Sequence, residues 1–327
     1  MAHNRPEYLE RTLSKLLQLS LDKRSVEWLV CVSLDSSRDF SRMKSKIKEV
    51  EANVKSKKHV HVFEMLHGGG GDALLAISKH VKYAIDQSFA LKERTVTHVV
   101  LLEEDLMPST DFLYYFEATA WLLNSDKSLW CVSAWNDNGL AAIAKDETLL
   151  FRTDYFPGLG WMVKREDWVD DLSRRWPIAP TTGWDHWIRR SSNHRNRECV
   201  YPEVPRTKHI ASHGTNVNAA EQKRYEKFAF SSMTTSSPSS LTRFGDLSYL
   251  LQSNYYLIMK TFIEELPRKV NPHTSLRYND NRNRAATSSS SINSGDGRIV
   301  FFSREKYSEI ARSYSLSPGE PRGFSNG

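Results

Sequence analysis

THVVLLEED, residues 97–105, decides the fold. Four apolar residues, Val99 to Leu102, run straight into Glu103, Glu104 and Asp105. A short apolar, β-branched run that stops at polar residues reads as a buried strand ending in a loop. Toward the N-terminus the same grammar repeats. Residues 72–89 carry Leu75, Ile77, Val81, Ala84 and Ile85 at helical spacing, and HVHVFEML at 59–66 reads as a strand. Residues 41–56 read as a charged, exposed helix, and VEWLVCVSLDSS at 26–37 as a strand that runs into a polar loop. Residues 6–20 place Leu9, Leu13, Leu16 and Leu17 on one helical face, with Pro6 suited to the first turn. Strands alternating with helices imply an α/β chain with a parallel, doubly wound sheet and flanking helices. Ligands of such sheets sit beyond the carboxyl ends of the strands, where Asp35 and the Glu103–Asp105 cluster fall.

C-terminal to this stretch the periodicity weakens. Residues 111–215 hold Trp121, Trp130, Trp135, Trp161, Trp168, Trp176, Trp184 and Trp187. So many tryptophans near a sheet edge either shape a pocket or pack as ordinary core. Residues 231–242 are rich in Ser and Thr. Residues 271–297 are rich in Asn, Arg and Ser and are expected to be disordered. RIVFFSREKYSEIARSYSL, 298–316, reads as a strand followed by a helix.

The 327 residues suffice for about two domains or one large domain with an appendage. Hydrophobic residues at 39% and charged residues at 26% give a globular balance and exclude a collagen-like or wholly disordered chain. No run reaches the ~18 apolar residues of a membrane span. The start, MAHNRPEYLE, has no apolar signal-peptide core. The net charge of +6 is spread along the chain, without a nucleic-acid-binding module, so nucleic acid is not expected as a partner. Cys31, Cys131 and Cys199 form no CxxC pair, which argues against a zinc site. Their number and spacing allow one disulfide with a spare thiol, or three reduced cysteines.

Three segments carry candidate chemistry. Consecutive carboxylates at the end of an apolar strand are costly unless a cation meets them. Mg²⁺ and Mn²⁺ take carboxylate and phosphate oxygens, so Glu103–Asp105 suits a metal–diphosphate, the plain alternative being a solvated acidic cap. In GWDHWIRR, 183–190, Asp185 lies between two tryptophans. An apolar setting suits a carboxylate to general-base work. A helix-capping Asp is the alternative, and His186 is a competing base. Gly68–Gly71 after His67 lacks both the P-loop ending and the GxGxxG spacing and reads as a flexible loop. Neither an HExxH pattern nor a GxSxG elbow is present.

The block from 97 to 207 resembles the inverting glycosyltransferase family of N-acetylglucosaminyltransferase I and the protein O-linked-mannose β-1,2-N-acetylglucosaminyltransferase. The matching strings are NRPEYL (4–9), LLEEDL (101–106), SLWCVSAWNDNG (128–139), FRTDYFPGLGW (151–161), RRWP (174–177), WDHWIRR (184–190) and RECVYPEVPRT (197–207). The likeness returns at 298–324, where SPGEPRG resembles part of the family's C-terminal segment. The resemblance implies a GT-A fold with a Rossmann-like, mostly parallel sheet. It implies UDP-N-acetylglucosamine as donor and a terminal α-mannose on a glycoprotein as acceptor. It also implies Mn²⁺ as cofactor and a β-1,2 linkage made with inversion. Carried over by residue, Asp105 is the metal ligand, Glu104 faces the ribose and Glu103 the donor sugar. Asp185 is the general base, Leu159 and Trp184 pack on the sugar, Arg5 and Asp35 hold the uridine, and His67 and Ser212 border the donor.

The resemblance also implies a Cys131–Cys199 disulfide with Cys31 free, which fits the Golgi lumen. On this reading 1–230 is the nucleotide-sugar-binding and catalytic domain, 231–297 a connecting segment and 298–327 a C-terminal strand and helix. The chain departs from some members in Glu104, where they carry Asp, and in His186, where they carry a second carboxylate. Glu-Glu-Asp matches the O-mannose branch, so an O-mannosyl acceptor is the alternative, and an inactive sugar-binding relative is another. The resemblance sets Met1 just after the family's first strand, so that strand and the membrane anchor before it are expected to be missing, as in a fragment or truncated gene product.

Overall fold

Leu9, Leu13 and Leu17 recur every four residues, so a helix buries all three on one face, and they anchor α1 (Pro6–Gln18). The computed structural model describes residues 1–19, 26–35, 40–54, 60–66, 72–92, 95–177, 182–212, 219–233 and 244–265. His67, the Gly68–Gly71 run, the Asn- and Ser-rich stretch at 271–297 and the C-terminal segment at 298–327 lie outside the described residues.

The N-terminal half follows the expected alternation: β1 (Val30–Asp35), α2 (Phe40–Asn53), β2 (Val60–Met65), α3 (Ala73–Phe89) and β3 (His98–Leu101). β1 and β2 pair in parallel, from Val30 opposite Val60 to Asp35 opposite Met65. Val32, Leu34, Met43, Ile47 and Val60 join the α1 leucines in one core. At the N-terminus of α3 the Asp72 side chain accepts from the Leu74 amide at 2.8 Å.

β3 departs from the expected single parallel sheet. Among the described residues it pairs with neither β1 nor β2. A cavity of about 300 Å³, lined by Trp28, Val30, Val32, Val99, Leu101 and Phe112 among others, separates β1 from β3. Met1 and Ala2 bridge the two strands. The Ala2 amide donates to Ser33 O at 2.8 Å, the Asp35 amide donates to Ala2 O at 3.1 Å, and the terminal ammonium of Met1 donates to Leu102 O at 2.8 Å.

The chain continues through β4 (Leu106–Pro108), α4 (Phe112–Ser125), β5 (Leu129–Ser133), β6 (Leu150–Thr153) and β7 (Trp161–Lys164). A π-helical turn (Asp167–Leu172) runs into α5 (Ser173–Arg175). Then come α6 (Trp184–Ile188), α7 (Ser191–His194), β8 (Glu198–Pro202), β9 (Thr207–His209), α8 (Ala219–Tyr225), a 3-10 turn (Leu247–Leu250) and α9 (Gln252–Glu265). The larger sheet has the order β3-β7-β5-β8-β6. Among the described residues only β5 and β8 pair in parallel within it; the other pairs are antiparallel. β4 pairs with β9 as a separate antiparallel ribbon.

One face of the larger sheet packs on α4, with Phe244, Leu247 and Leu250 buried in the same core. The other face holds Trp130, Trp161, Trp168, Trp176 and Trp184. Most of the tryptophan-rich stretch is therefore core, while Trp121 is exposed. Cys131 and Cys199 are directly opposite on β5 and β8 and are disulfide-bonded, with Cα atoms 4.6 Å apart. Cys31 is free, and burial pushes its thiol up to about 11. No helix among the described residues is long and apolar enough to cross a membrane.

Arg152 on β6 is fully enclosed. Its Nε donates to Glu198 at 2.5 Å, and its Nη1 donates to Asp126 at 2.7 Å and to Leu250 O at 2.8 Å. Removing Arg152 leaves the Glu198 and Asp126 carboxylates buried without their cation, although Tyr256 still donates to Glu198 and the Ser128 and Gln252 amides to Asp126. Arg152→Met is expected to cost ~3–5 kcal/mol and lower the melting temperature by about 10 °C. Thermal denaturation followed by circular dichroism measures this, and an unchanged midpoint would show the network to be dispensable.

Candidate active site

The larger sheet sets the geometry. Leu101, the last residue of β3, lies opposite Trp161, the first of β7. The segments just beyond, Leu102–Asp105 and Gly158–Gly160, are therefore neighbours at one end of the sheet. Gly158, Leu159 and Gly160 have φ of 68°, 41° and 93°, a left-handed run. A side chain at Gly160 would set its Cβ 2.9 Å from the Thr207 methyl, so only glycine fits there. Leu159 is not glycine, and a strained backbone at such a position commonly marks a functional turn. Its carbonyl accepts from the Thr207 hydroxyl at 2.7 Å, and the Ala134 amide holds Gly160 O at 2.7 Å.

The acidic cluster is gathered by the N-terminal segment. Arg5 donates to Glu104 at 2.7 Å and reaches Asp105 at 2.8 Å. The His3 amide donates to the second Glu104 oxygen at 3.0 Å, and the His3 ring meets Asp35 at 3.2 Å. Arg5, Asp35, Glu104 and Asp105 thus converge. Ser212 joins through Tyr8: its amide donates to the Tyr8 hydroxyl at 3.1 Å, and Tyr8 lies beside the Arg5 guanidinium. Both Glu104 oxygens accept from protein donors.

His209 is a site residue that sequence reasoning missed, as are His3 and Tyr8. β9 sets His209 opposite Leu106, and its Nε2 lies 3.5 Å from Asp105 Oδ2. Its ring stacks on Tyr225 at 4.5 Å, and its buried Nδ1 has no hydrogen-bond partner among the described residues. Burial works against ionisation of Asp105, but the His209 contact and the Arg5 charge outweigh it and hold the carboxyl below its ordinary value. Glu103 moves the other way. Burial, with the Asp105 charge adding to it, pushes its carboxyl up to about 7. A group at that value passes between hydrogen-bond donor and acceptor near neutral pH.

A divalent cation at this strand end would need oxygen ligands from these side chains. Among the described residues no group of three or more His, Cys, Asp or Glu side chains could hold a metal unaided. Among the described residues Asp105 meets both Arg5 and His209 through Oδ2, which leaves Oδ1 to ligate. One carboxylate beside diphosphate oxygens and water is the donor set that Mg²⁺ commonly takes. The residues fit a cation that arrives with a diphosphate rather than a protein-only cage.

Asp185 sits on α6, which is anchored by its buried residues Trp184 and Ile188. Trp184 stacks on Trp161 at 6.0 Å and on Trp176 at 5.6 Å, so α6 is fixed to the same end of the sheet. The cap position belongs to Gly183, not to Asp185. Asp185 is also not enclosed by its flanking tryptophans. Its side chain is 34% exposed, and Oδ2 pairs with Arg189 Nη1 at 2.5 Å. His186 is exposed. No ion pair or hydrogen bond joins Asp185 to Glu103–Asp105 among the described residues; the shared sheet end relates them.

Fold and site define a mixed α/β protein with an acidic strand end suited to a metal–diphosphate and a second carboxylate on a helix at the same end of the sheet. The GNT-I family model matches residues 1–319, and the chain belongs to this family. It is 34% identical over 258 residues to an alpha-1,3-mannosyl-glycoprotein 2-beta-N-acetylglucosaminyltransferase of Arabidopsis thaliana. The match covers 78% of this chain and 54% of the relative, so the chain spans about half the length of the curated relative it matches. Among solved structures, a mannosyltransferase from Pyrobaculum calidifontis in complex with GDP-Man and Mn²⁺ is similar at a TM-score of 0.39 and 17% identity, over 62% of this chain and 56% of that one.

Proposed function

We propose that the chain transfers N-acetylglucosamine from UDP-N-acetylglucosamine to the 2-hydroxyl of a terminal α-mannose on a glycoprotein, with inversion, giving a β-1,2 linkage. The observation that carries this is the Glu103–Asp105 cluster, beside the strained Gly158–Gly160 turn, in a chain of the GNT-I family. The relative's name supplies the donor sugar and the acceptor class.

Asp105, steadied by Arg5 and His209, would hold Mn²⁺ through its free oxygen. Bound there, the cation would offset the charge that builds on the departing UDP. Arg5, Asp35, Glu104 and Ser212 border the nucleotide side, and Glu103 the sugar. Leu159 and Trp184 form the apolar wall under the sugar. Asp185 takes the proton from the mannose 2-hydroxyl as that oxygen bonds to the anomeric carbon. The bond from that carbon to the UDP oxygen breaks in the same step, so the configuration inverts. The Cys131–Cys199 disulfide supports an oxidising compartment, consistent with the Golgi lumen.

An acceptor panel tests the reading. Purified protein with UDP-N-acetylglucosamine and Mn²⁺ is expected to modify a mannose-terminated N-glycan in preference to an O-mannosyl peptide. Preference for the O-mannosyl peptide would overturn the acceptor assignment, and release of UDP with no glycan product would overturn the transfer.

A further inference from the structure

Arg189 follows Asp185 by one helical turn and, among the described residues, meets Asp185 on α6 and both Tyr155 and Phe156 on the segment after β6. Its Nη1 donates to Asp185 Oδ2 at 2.5 Å. Its Nε donates to Phe156 O at 3.1 Å, and its guanidinium lies over the Tyr155 ring at 4.8 Å. An exposed pair at this spacing is usually free to open and contributes little. This arginine is only 19% exposed and is fixed by a carbonyl and a ring on the segment that leads into Gly158–Gly160. Asp185 Oδ2 is committed to it, whereas Oδ1 packs over Gly183, 2.3 Å from where a Cβ on that residue would stand. A side chain at Gly183 would push Oδ1 aside.

We propose that Arg189 is a positioning residue. It fixes the Asp185 carboxylate so that Oδ1 takes the acceptor proton, and it ties α6 to the turn that carries Leu159. The base and the sugar-binding turn then keep one relative placement. This rests on Asp185 being the base. A base displaced by about 1 Å can lose on the order of 10²-fold in rate.

The test is a double-mutant cycle with Arg189→Met and Asp185→Asn, read as kcat and donor KM, with Arg189→Lys as the conservative variant. Arg189→Met is expected to lower kcat about 10- to 100-fold with donor KM within about twofold, and Arg189→Lys to recover part of the loss. In the Asp185→Asn background, Arg189→Met is expected to cost nothing further, because its action runs through that carboxylate. Equal losses in both backgrounds, or a wild-type kcat for Arg189→Met in a protein that Asp185→Asn inactivates, would overturn the proposal. A wild-type kcat for Asp185→Asn would overturn the base assignment itself and this proposal with it.

Discussion

Asp185→Asn is expected to lower kcat on the order of 10³-fold while leaving donor KM nearly unchanged. The amide has the shape of the carboxylate and still accepts from Arg189, so α6 keeps its place between Trp161 and Trp176. What it loses is the ability to take a proton. The loss therefore falls on the chemical step and not on donor binding. His186 is the neighbouring alternative, but it points to solvent on a helix whose buried residues are Trp184 and Ile188. His186→Asn is expected to stay within about twofold of wild type, as befits an exposed position. Steady-state kinetics of the two variants side by side separate the candidates. A large loss in His186→Asn with none in Asp185→Asn would move the base by one residue.

Asp105→Asn is expected to raise the Mn²⁺ concentration for half-maximal rate at least about tenfold and to lower kcat/KM on the order of 10²-fold. Asp105 stays ionised at neutral pH because His209 and Arg5 outweigh its burial. An amide there removes the charge while keeping an oxygen in place. Calorimetric titration of UDP in the presence of Mn²⁺ gives a readout independent of turnover. Binding is expected to weaken in the variant with Mn²⁺ and to match wild type without it. Equal affinity with Mn²⁺ would remove Asp105 from the metal site.

The first hundred residues were legible because each element buries one face. The leucine spacing marks α1, the β-branched runs mark β1, β2 and β3, and their bounds fall within a few residues of the expected spans. Residues 111–215 were not legible in this way. Their strands are three to five residues long and pair out of sequence order, so local periodicity carries little of the pairing. The site divides along the same line. Glu103–Asp105 stood out because adjacent carboxylates at the end of an apolar strand need a cation. His209 did not, because its approach to Asp105 depends on β9 pairing with β4 across about a hundred residues of chain. Arg189 was within reach of sequence reasoning, since it stands four residues after Asp185 and that spacing faces the two side chains together. The Trp184–Trp187 pair pointed to a desolvated carboxylate, but α6 turns Trp184 inward and leaves Asp185 beside Arg189.

The most direct measurement is the anomeric configuration and linkage of the product, read by NMR after incubation with UDP-N-acetylglucosamine and a terminal α-mannoside. The account predicts a single β-1,2-linked N-acetylglucosamine formed with Mn²⁺ and none in EDTA. An α-linked product, another linkage position, or an unchanged yield in EDTA would contradict it.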